Sequence, residues 1–553
     1  VPTAVGVVAQ TAADDQAEGT LMRRAIESDV CIIGSGISAA MVADRLARTT
    51  SAKIVVVEAG DETIPLPQRA AMRERFLRYG ENPWGRDHLE GYEVEGPLQS
   101  RSMQVGGLAM HWGGVTPRFS PEDFRHRSMY GVGTDWPISY DDLDPFYQEA
   151  EELMGVAGEQ GPTELDPRGK PFPMPALPLT YNLELLKSWA SKAGIAMWSQ
   201  PSAKNSVAYR GRAQCCRNDT CSPICPVGAK YSPDFTWTAL RRANRIRLLP
   251  RTLVRKLVLD GTGKTISHAV AVDRDHPEQP IEFHSKLFVV AAGYTWSSHL
   301  LLLSAQTAAP NGVANASGLV GKYLTGHRNV QGYVELPLRL YPGMNEQHSL
   351  VTKQFMRPKQ GSTFIRHDLR VWESSVGRTP RLADDNGVLM LGDAILKDWR
   401  ERANTGAARV RAYYDVIPDR ASELTLDATR KNQWGDPLPK LVFRDAPESV
   451  ALRAQTEDSI RALFATMAKA GDGKLLRTSV DNFQDHPAGG CRMGSDPATS
   501  VVDSWGRAHD HENLFVVGAP ASVSGSCANA TLTFCALALR SAHEIERGLP
   551  RRA

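Results

Sequence analysis

Hydrophobic and polar positions first fall into a clear pattern between Ser28 and Gly34, where a short apolar run bounded by polar residues ends in glycine and predicts a buried strand. From Ile37 to Arg48 the apolar residues take helical spacing, and Lys53 to Gly60 forms a second apolar strand. Strand, glycine turn, helix and strand make a βαβ unit. In such a unit Gly34 permits the tight turn, Gly36 lets backbone approach a pyrophosphate, and the small Ala39 lets the helix pack closely on the strand. Glu58 stands at the end of the second strand, where a carboxylate accepts ribose hydroxyls. The unit therefore predicts dinucleotide binding.

The pattern then changes several times. Thr63 to Arg101 is charged and aperiodic, as expected of an excursion over the surface or over a cofactor. Gln104 to Gly114 crowds Gly106, Gly107, Gly113 and Gly114 around His111, so backbone there must come very near something. Asp135 to Tyr147 reads as a turn with a serine or aspartate cap entering a helix that runs to about Met154. Ser232 to Ala243 and Trp296 to Ala305 read as helices, Ile246 to Leu259 as paired strands, and Leu287 to Gly293 as a buried parallel strand. Between Thr325 and Asp481, alternating strands and Pro, Asp and Asn turns without a cofactor-type glycine motif predict a separate substrate-facing domain. Asn513 to Gly518 and the helical stretch from Ala530 to Gly548 bring the chain back to the first domain. The expected division is 25–324, carrying an inserted cysteine segment at 211–230, then 325–481, then a return at 482–550.

At 553 residues the chain is too long for one simple core. Its 64 basic and 62 acidic residues leave no charge excess that would mark nucleic acid as a partner. No apolar run approaches the roughly 18 residues of a membrane-spanning helix. The apolar start from Val1 to Gln10 is compatible with a processed leader, and Arg23-Arg24 lacks the apolar stretch that a twin-arginine export signal requires. The compartment stays open.

Four of the eight cysteines lie at 215, 216, 221 and 225, and Pro226 follows the last. Closely spaced thiolates followed by proline suit an iron–sulfur cluster, because they converge on neighbouring irons while a turn wraps them. A zinc knuckle is the alternative, but adjacent cysteines are unusual for it and no second Cys-x-x-Cys or His pair lies nearby. Consecutive side chains diverge in extended backbone, so three ligands and one spare is the preferred count. Cys31, Cys491, Cys527 and Cys535 read as small buried residues.

Three segments together resemble the glucose–methanol–choline (GMC) oxidoreductase family: Gly34 to Glu58, the Gly106-Gly107 loop, and Val501 to Arg540 with its Asn513 to Gly518 and Asn529 to Thr531 motifs. Cys215 to Cys225, with Tyr130 to Leu143, is similar to the large subunits of bacterial membrane-associated sugar dehydrogenases acting on glucose, fructose, gluconate and glucosides. The resemblance implies an α/β fold with a Rossmann-like FAD-binding domain and a substrate domain built on an antiparallel sheet flanked by helices. It implies FAD as cofactor, bound by Gly34, Gly36, Ala39, Glu58, Gly106, Gly107, His111, Gly518 and Thr531, with His111 a candidate for covalent attachment. It also implies a cluster, 3Fe-4S favoured, on Cys215, Cys221 and Cys225, with Cys216 left for a disulfide to a small helper subunit; the opposite assignment of Cys215 and Cys216 stays open. A cytochrome c or quinone would accept the electrons, which implies a periplasmic or membrane-associated protein held through its partners, with the cytoplasm still open. Two stretches depart from the glucose and fructose enzymes, Gly107 to Met110 and His486 to Gly494, and move weight toward glycosides, sugar acids and other polyols.

Oxidising a hydroxyl to a carbonyl needs a base for the proton and an acceptor for the hydride. His486, between Asp485 and Pro487, matches the family's catalytic histidine. Asn529 matches its partner position and can hydrogen-bond the same hydroxyl but cannot serve as base. His327, whose neighbours differ from the family pattern, is left outside the catalytic set. The expected activity is a sugar, glycoside or sugar-acid dehydrogenase. The alternatives are an oxidase similar to pyranose oxidase, returning electrons to oxygen, and a non-catalytic electron-relay flavoprotein with a zinc knuckle.

Overall fold

The computed structural model describes residues 24–84, 103–341, 348–374, 382–384, 386–445, 447–481 and 486–552. Much of the Thr63 to Arg101 excursion, the start from Val1 to Gln10, Arg23 and Asp485 lie outside them; the described part of the excursion holds the helix Arg69–Tyr79.

The βαβ unit forms as its pattern predicts: β1 (Arg24–Ile33), α1 (Ile37–Thr49) and β2 (Ile54–Val57). β1 and β2 pair in parallel from Val30 opposite Ile54 to Ile33 opposite Val57. All of β2 is buried, as required of a parallel strand covered on both faces. Ile246–Leu249 lies beyond β2, also parallel. On the other side β1 pairs with the long strand Pro280–Val290. That strand divides its far edge between two partners: 280–283 run antiparallel to Ile266–Asp273, and 288–290 run parallel to Leu514–Val516.

One expectation is corrected here. Ile246–Leu249 and Thr252–Leu259 are not partners but stand at opposite ends of the strand order, the second paired with Ile266–Asp273. Pro250 and Arg251, whose φ is +54°, turn the chain between them, and an alternating pattern does not encode which edge a strand joins.

The second sheet is six-stranded and antiparallel. Its order is Lys474–Asp481, His327–Leu336, Gly406–Asp415, Leu369–Ser374, Leu350–Thr352 and Trp198–Ser199. The helices Tyr181–Lys192 and Pro447–Ala470 cover one face, where Leu186, Trp189, Phe464 and Met467 pack against Val330, Val334, Val410 and Ala412. Because strand side chains alternate, His327, Asn329, Arg411 and Tyr413 project from the other face. Residues 181–199 thus join this core although they precede position 324. In the opposite sense, the hairpin of Glu423–Lys431 and Pro437–Val442 sends Leu424 and Leu441 against Tyr294 and Leu324.

Helix Tyr140–Met154 begins as expected. Ser139 accepts from Asp142 N–H while the Asp142 carboxylate accepts from Ser139, a reciprocal cap that satisfies donors at the helix start. Its buried residues Leu143, Tyr147 and Ala150 join the large core around the first sheet.

Candidate active site

The glycine turn after β1 is shaped for close approach. Gly34 has φ +97°, and a Cβ there would lie 2.8 Å from the Ala291 carbonyl oxygen, so no other residue fits without displacement. At Gly36 the situation is opposite. It precedes α1 in extended conformation, gives that helix no side-chain cap, and a Cβ there would meet nothing within 4 Å. Open space beside the N–H groups of an uncapped helix N-terminus fits the pyrophosphate of a dinucleotide. Ala39 is fully buried between helix and sheet.

Glu58 is buried at the end of β2. Its Oε2 accepts from Ser35 N–H at 2.9 Å and from the Ser35 hydroxyl at 2.5 Å, and its Oε1 accepts from Gly60 N–H at 2.8 Å. Burial pushes this carboxyl above its ordinary value while the three donors pull it back. Ser35 Oγ in turn accepts from Gly106 N–H at 3.1 Å. A Cβ on Gly107 would stand 3.3 Å from the Gly36 Cα. The second glycine loop is therefore seated on the first. Gly518 closes the same helix start from another side, since a Cβ there would meet Ser38 Oγ at 2.3 Å. Thr531 opens the last helix, Thr531–Glu546, which packs along α1. His111 ends the short helical turn Gly107–Met110 and is half-buried.

His486 and Asn529 come together as expected: Asn529 Nδ2 lies 3.1 Å from His486 Nε2. His327, left outside the catalytic set on its sequence, stands next to them. His327 Nε2 lies 3.0 Å from His486 Nδ1, and its Nδ1 lies 3.2 Å from the Ser526 carbonyl oxygen. A carbonyl can only accept, so His327 carries its proton on Nδ1. Its ring is fully buried, and burial together with the neighbouring His486 holds it well below the ordinary histidine value, hence neutral. Its Nε2 is then an acceptor, which requires the His486 proton on Nδ1. The Nε2 of His486 then carries the lone pair and accepts from the Asn529 amide N–H. The Oδ1 of Asn529 is buried without a partner, available to a donor brought in by substrate.

Local sequence explains how these pieces meet. Gly525 lets its loop pass over Gly326, where a Cβ would strike the carbonyl oxygen at 2.2 Å, and Ser526 follows in the left-handed region at φ +58°. Tyr413, from the neighbouring strand, places its ring 4.1 Å from that of His327 and edge-on, 6.3 Å, to that of His486. A histidine opening an alternating strand was the available signal for His327; nothing local named its partner.

Cys215, Cys221 and Cys225 share one neighbourhood. Burial raises the Cys215 thiol, and Cys221 and Cys225 are close enough to raise it further. Cys216 is exposed, and all eight cysteines are free thiols. Lys230, 2 % exposed, donates from Nζ to the carbonyls of Met110 (3.1 Å), Trp112 (2.7 Å) and Cys221 (2.6 Å). Burial lowers it to about 8, and Cys221 and Cys225 oppose that shift. Among the described residues, one group of three potential metal ligands has its ligand atoms within 4.8 Å of one another: Asp123, His126 and Asp415. The Arg366 guanidinium occupies that place, so the group is an ion-pair cluster.

A dinucleotide-type glycine turn at Gly34 to Gly36 and a hydrogen-bonded array of His327, His486 and Asn529 together suit a flavin-type oxidoreductase. The GMC oxidoreductase models match residues 184–329 and 418–538. The chain is 31 % identical, over 94 % of its length and 98 % of the relative, to the fructose dehydrogenase large subunit of Gluconobacter japonicus. It is 30 % identical, over 95 % and 92 %, to the paromamine 6'-oxidase of Streptomyces fradiae. The gluconate 2-dehydrogenase flavoprotein of Pantoea cypripedii matches at 25 % over 80 % and 78 %. In fold it is similar to the crystal structure of pyridoxine 4-oxidase from Mesorbium loti, with TM-score 0.59, 17 % identity and coverage of 94 % and 99 %. The chain belongs to the GMC oxidoreductase family and is an FAD-dependent oxidoreductase acting on CH–OH groups.

Proposed function

We propose that this protein oxidises a hydroxyl of a sugar, glycoside or sugar acid to a carbonyl and passes the electrons through an iron–sulfur cluster to an external acceptor. The observation that carries the oxidation is the His327–His486–Asn529 array, which puts the proton of His486 on Nδ1 and its basic lone pair on Nε2, next to an amide that can hold the same hydroxyl. Asn529 orients the substrate oxygen, and His486 Nε2 takes its proton as the carbonyl forms. Bound FAD supplies the acceptor for the hydride, with its electron pair, that leaves the same carbon. His486 becomes imidazolium, and its Nδ1–H stays on His327, which keeps the ring in position.

Gly34, Gly36, Gly106, Gly107 and Gly518 would hold the dinucleotide, Glu58 would stabilise the glycine turn and reach the ribose, and His111 is the candidate attachment point for the flavin. Cys215, Cys221 and Cys225 would ligate the cluster, for which their common neighbourhood beside buried Lys230 is the support. Exposed Cys216 is the proposed disulfide partner of a small helper subunit, and a cytochrome c or quinone the acceptor, in the periplasm or at a membrane. No helix among the described residues is long and apolar enough to cross a membrane.

An anaerobic absorption spectrum before and after aldoses, glycosides and aldonates tests the reading. Flavin bands over a broad iron–sulfur background, bleached by one of these classes, are expected; a flavin spectrum with no bound iron would sink the relay. The likeness to paromamine 6'-oxidase favours a second reading, an oxidase. Peroxide formed in step with substrate consumption in air would establish that one instead.

A further inference from the structure

Lys230 joins two parts of the molecule that the sequence keeps far apart. Its three N–H bonds end on the carbonyls of Met110 and Trp112, which flank His111, and on that of Cys221. Trp112 is tied to the same place by its indole N–H, 2.9 Å from the Tyr231 carbonyl. Arg212 lies on another side of the cysteine segment, buried, donating to the Ala229 carbonyl at 2.9 Å and to the Met154 carbonyl, with its plane over Tyr231 and Phe235. Every hydrogen bond from these two cations ends on a neutral carbonyl. The nearby Arg69 is different, since it pairs with Asp234 at 2.6 Å. A buried cation whose hydrogen bonds all end on neutral carbonyls calls for an anion close by: Lys230 is bonded to the backbone of Cys221, in the segment that carries Cys221 and Cys225, and Arg212 lies in the same segment with Asp234 also near it.

Resting on the cluster reading above, we infer that Lys230 and Arg212 are a fixed positive wall that favours the reduced, more negative state of the cluster and sets its reduction potential, while Lys230 also clamps the His111–Trp112 loop to the cysteine segment. The charge neighbouring a cluster is one of the levers that set its potential, and one electron gained adds one negative charge to be stabilised. Both are positioning residues; neither touches substrate.

The test uses the full-length protein, with iron content and a potentiometric titration of the cluster's low-temperature paramagnetic signal in wild type, Lys230→Gln, Arg212→Gln and Lys230→Arg. Each glutamine variant should keep its iron and lower the reduced-to-oxidised ratio at fixed potential by about tenfold, equivalent to about 59 mV for a one-electron couple. Lys230→Arg should restore the wild-type value. After substrate is mixed anaerobically, flavin bleaching in Arg212→Gln should keep its rate while cluster reduction slows. Iron retained with the potential unmoved in both glutamine variants overturns this inference and leaves the proposed function standing. Wild-type protein with no iron overturns both. Should Lys230→Gln fail to fold, Arg212→Gln decides by the same titration, an unmoved potential counting against the wall.

Discussion

His327 Nε2 stands 3.0 Å from His486 Nδ1, and this single contact decides which nitrogen of His486 can act as base. Replacing His486 with alanine should lower kcat by about 10²- to 10⁴-fold, the usual worth of a positioned base, with FAD retained. His327→Leu should keep the base but free its ring to turn. A fall of about 10²-fold in kcat with little change in KM is expected from such misplacement. Steady-state kinetics over a pH series separates the two, because His327→Leu should retain a titrating limb that His486→Ala lacks. An unchanged kcat in His327→Leu would remove His327 from the site.

The two glycines of the first turn should fail differently. Gly34→Ala forces a Cβ to within 2.8 Å of the Ala291 carbonyl oxygen in a left-handed backbone, so it should lower thermal stability as well as flavin content. At Gly36 a Cβ would meet nothing within 4 Å. Gly36→Val should fold with near-normal stability and purify without flavin, because the side chain occupies the pyrophosphate's place. Flavin-to-protein ratio and apoprotein melting temperature, measured together, check both outcomes.

Acid should destabilise the protein over a defined window. Burial lowers His299 and His367 to about 4 and His348 to about 3, against 6.5 for an ordinary histidine. The folded chain keeps these rings neutral while the unfolded chain binds protons below about pH 6.5, so their contribution is fully present above that pH and is lost as pH falls toward about 4. His299 and His367 contribute on the order of 3 kcal/mol each. Melting temperature should therefore drop steadily between pH 6.5 and 4, and His299→Asn should flatten that slope.

Arg366 is the centre of a buried ion cluster, 2.9 Å from both Asp123 and Asp415 and 2.7 Å from His126 Nε2. Burial alone would raise the Asp123 carboxyl, but Arg366 and His126 hold it well below the usual carboxylate range. Arg366→Met leaves two buried carboxylates uncompensated and should cost about 3–5 kcal/mol in denaturant unfolding. Removing all three partners together should cost less than the sum of the single losses.

The exposure of Cys216 against the half-buried and buried Cys215, Cys221 and Cys225 predicts a split in iron content. Cys225→Ser and Cys221→Ser should lose iron; Cys216→Ser should retain it and lose any disulfide to a helper chain. Iron lost in Cys216→Ser and kept in Cys215→Ser would reverse the assignment of the adjacent pair.

Sequence alone determined what depends on local backbone and periodicity. Gly34 announced a turn that only glycine enters, Ser139 and Asp142 announced a helix start, and the close spacing of the cysteines between 215 and 225 announced a common neighbourhood. His486 and Asn529 were legible through their motifs. Tertiary structure alone decided that Ile246–Leu249 and Thr252–Leu259 part to opposite edges, that residues 181–199 join the second core, that His327 sets the tautomer of His486, and that Lys230 ties the His111 loop to the cysteines. Those facts depend on strand order and on hydrogen bonds between distant segments. A turn or a period is written in a few adjacent residues, whereas the partner of a buried imidazole or ammonium is chosen only once the sheets have brought remote backbone within about 3 Å.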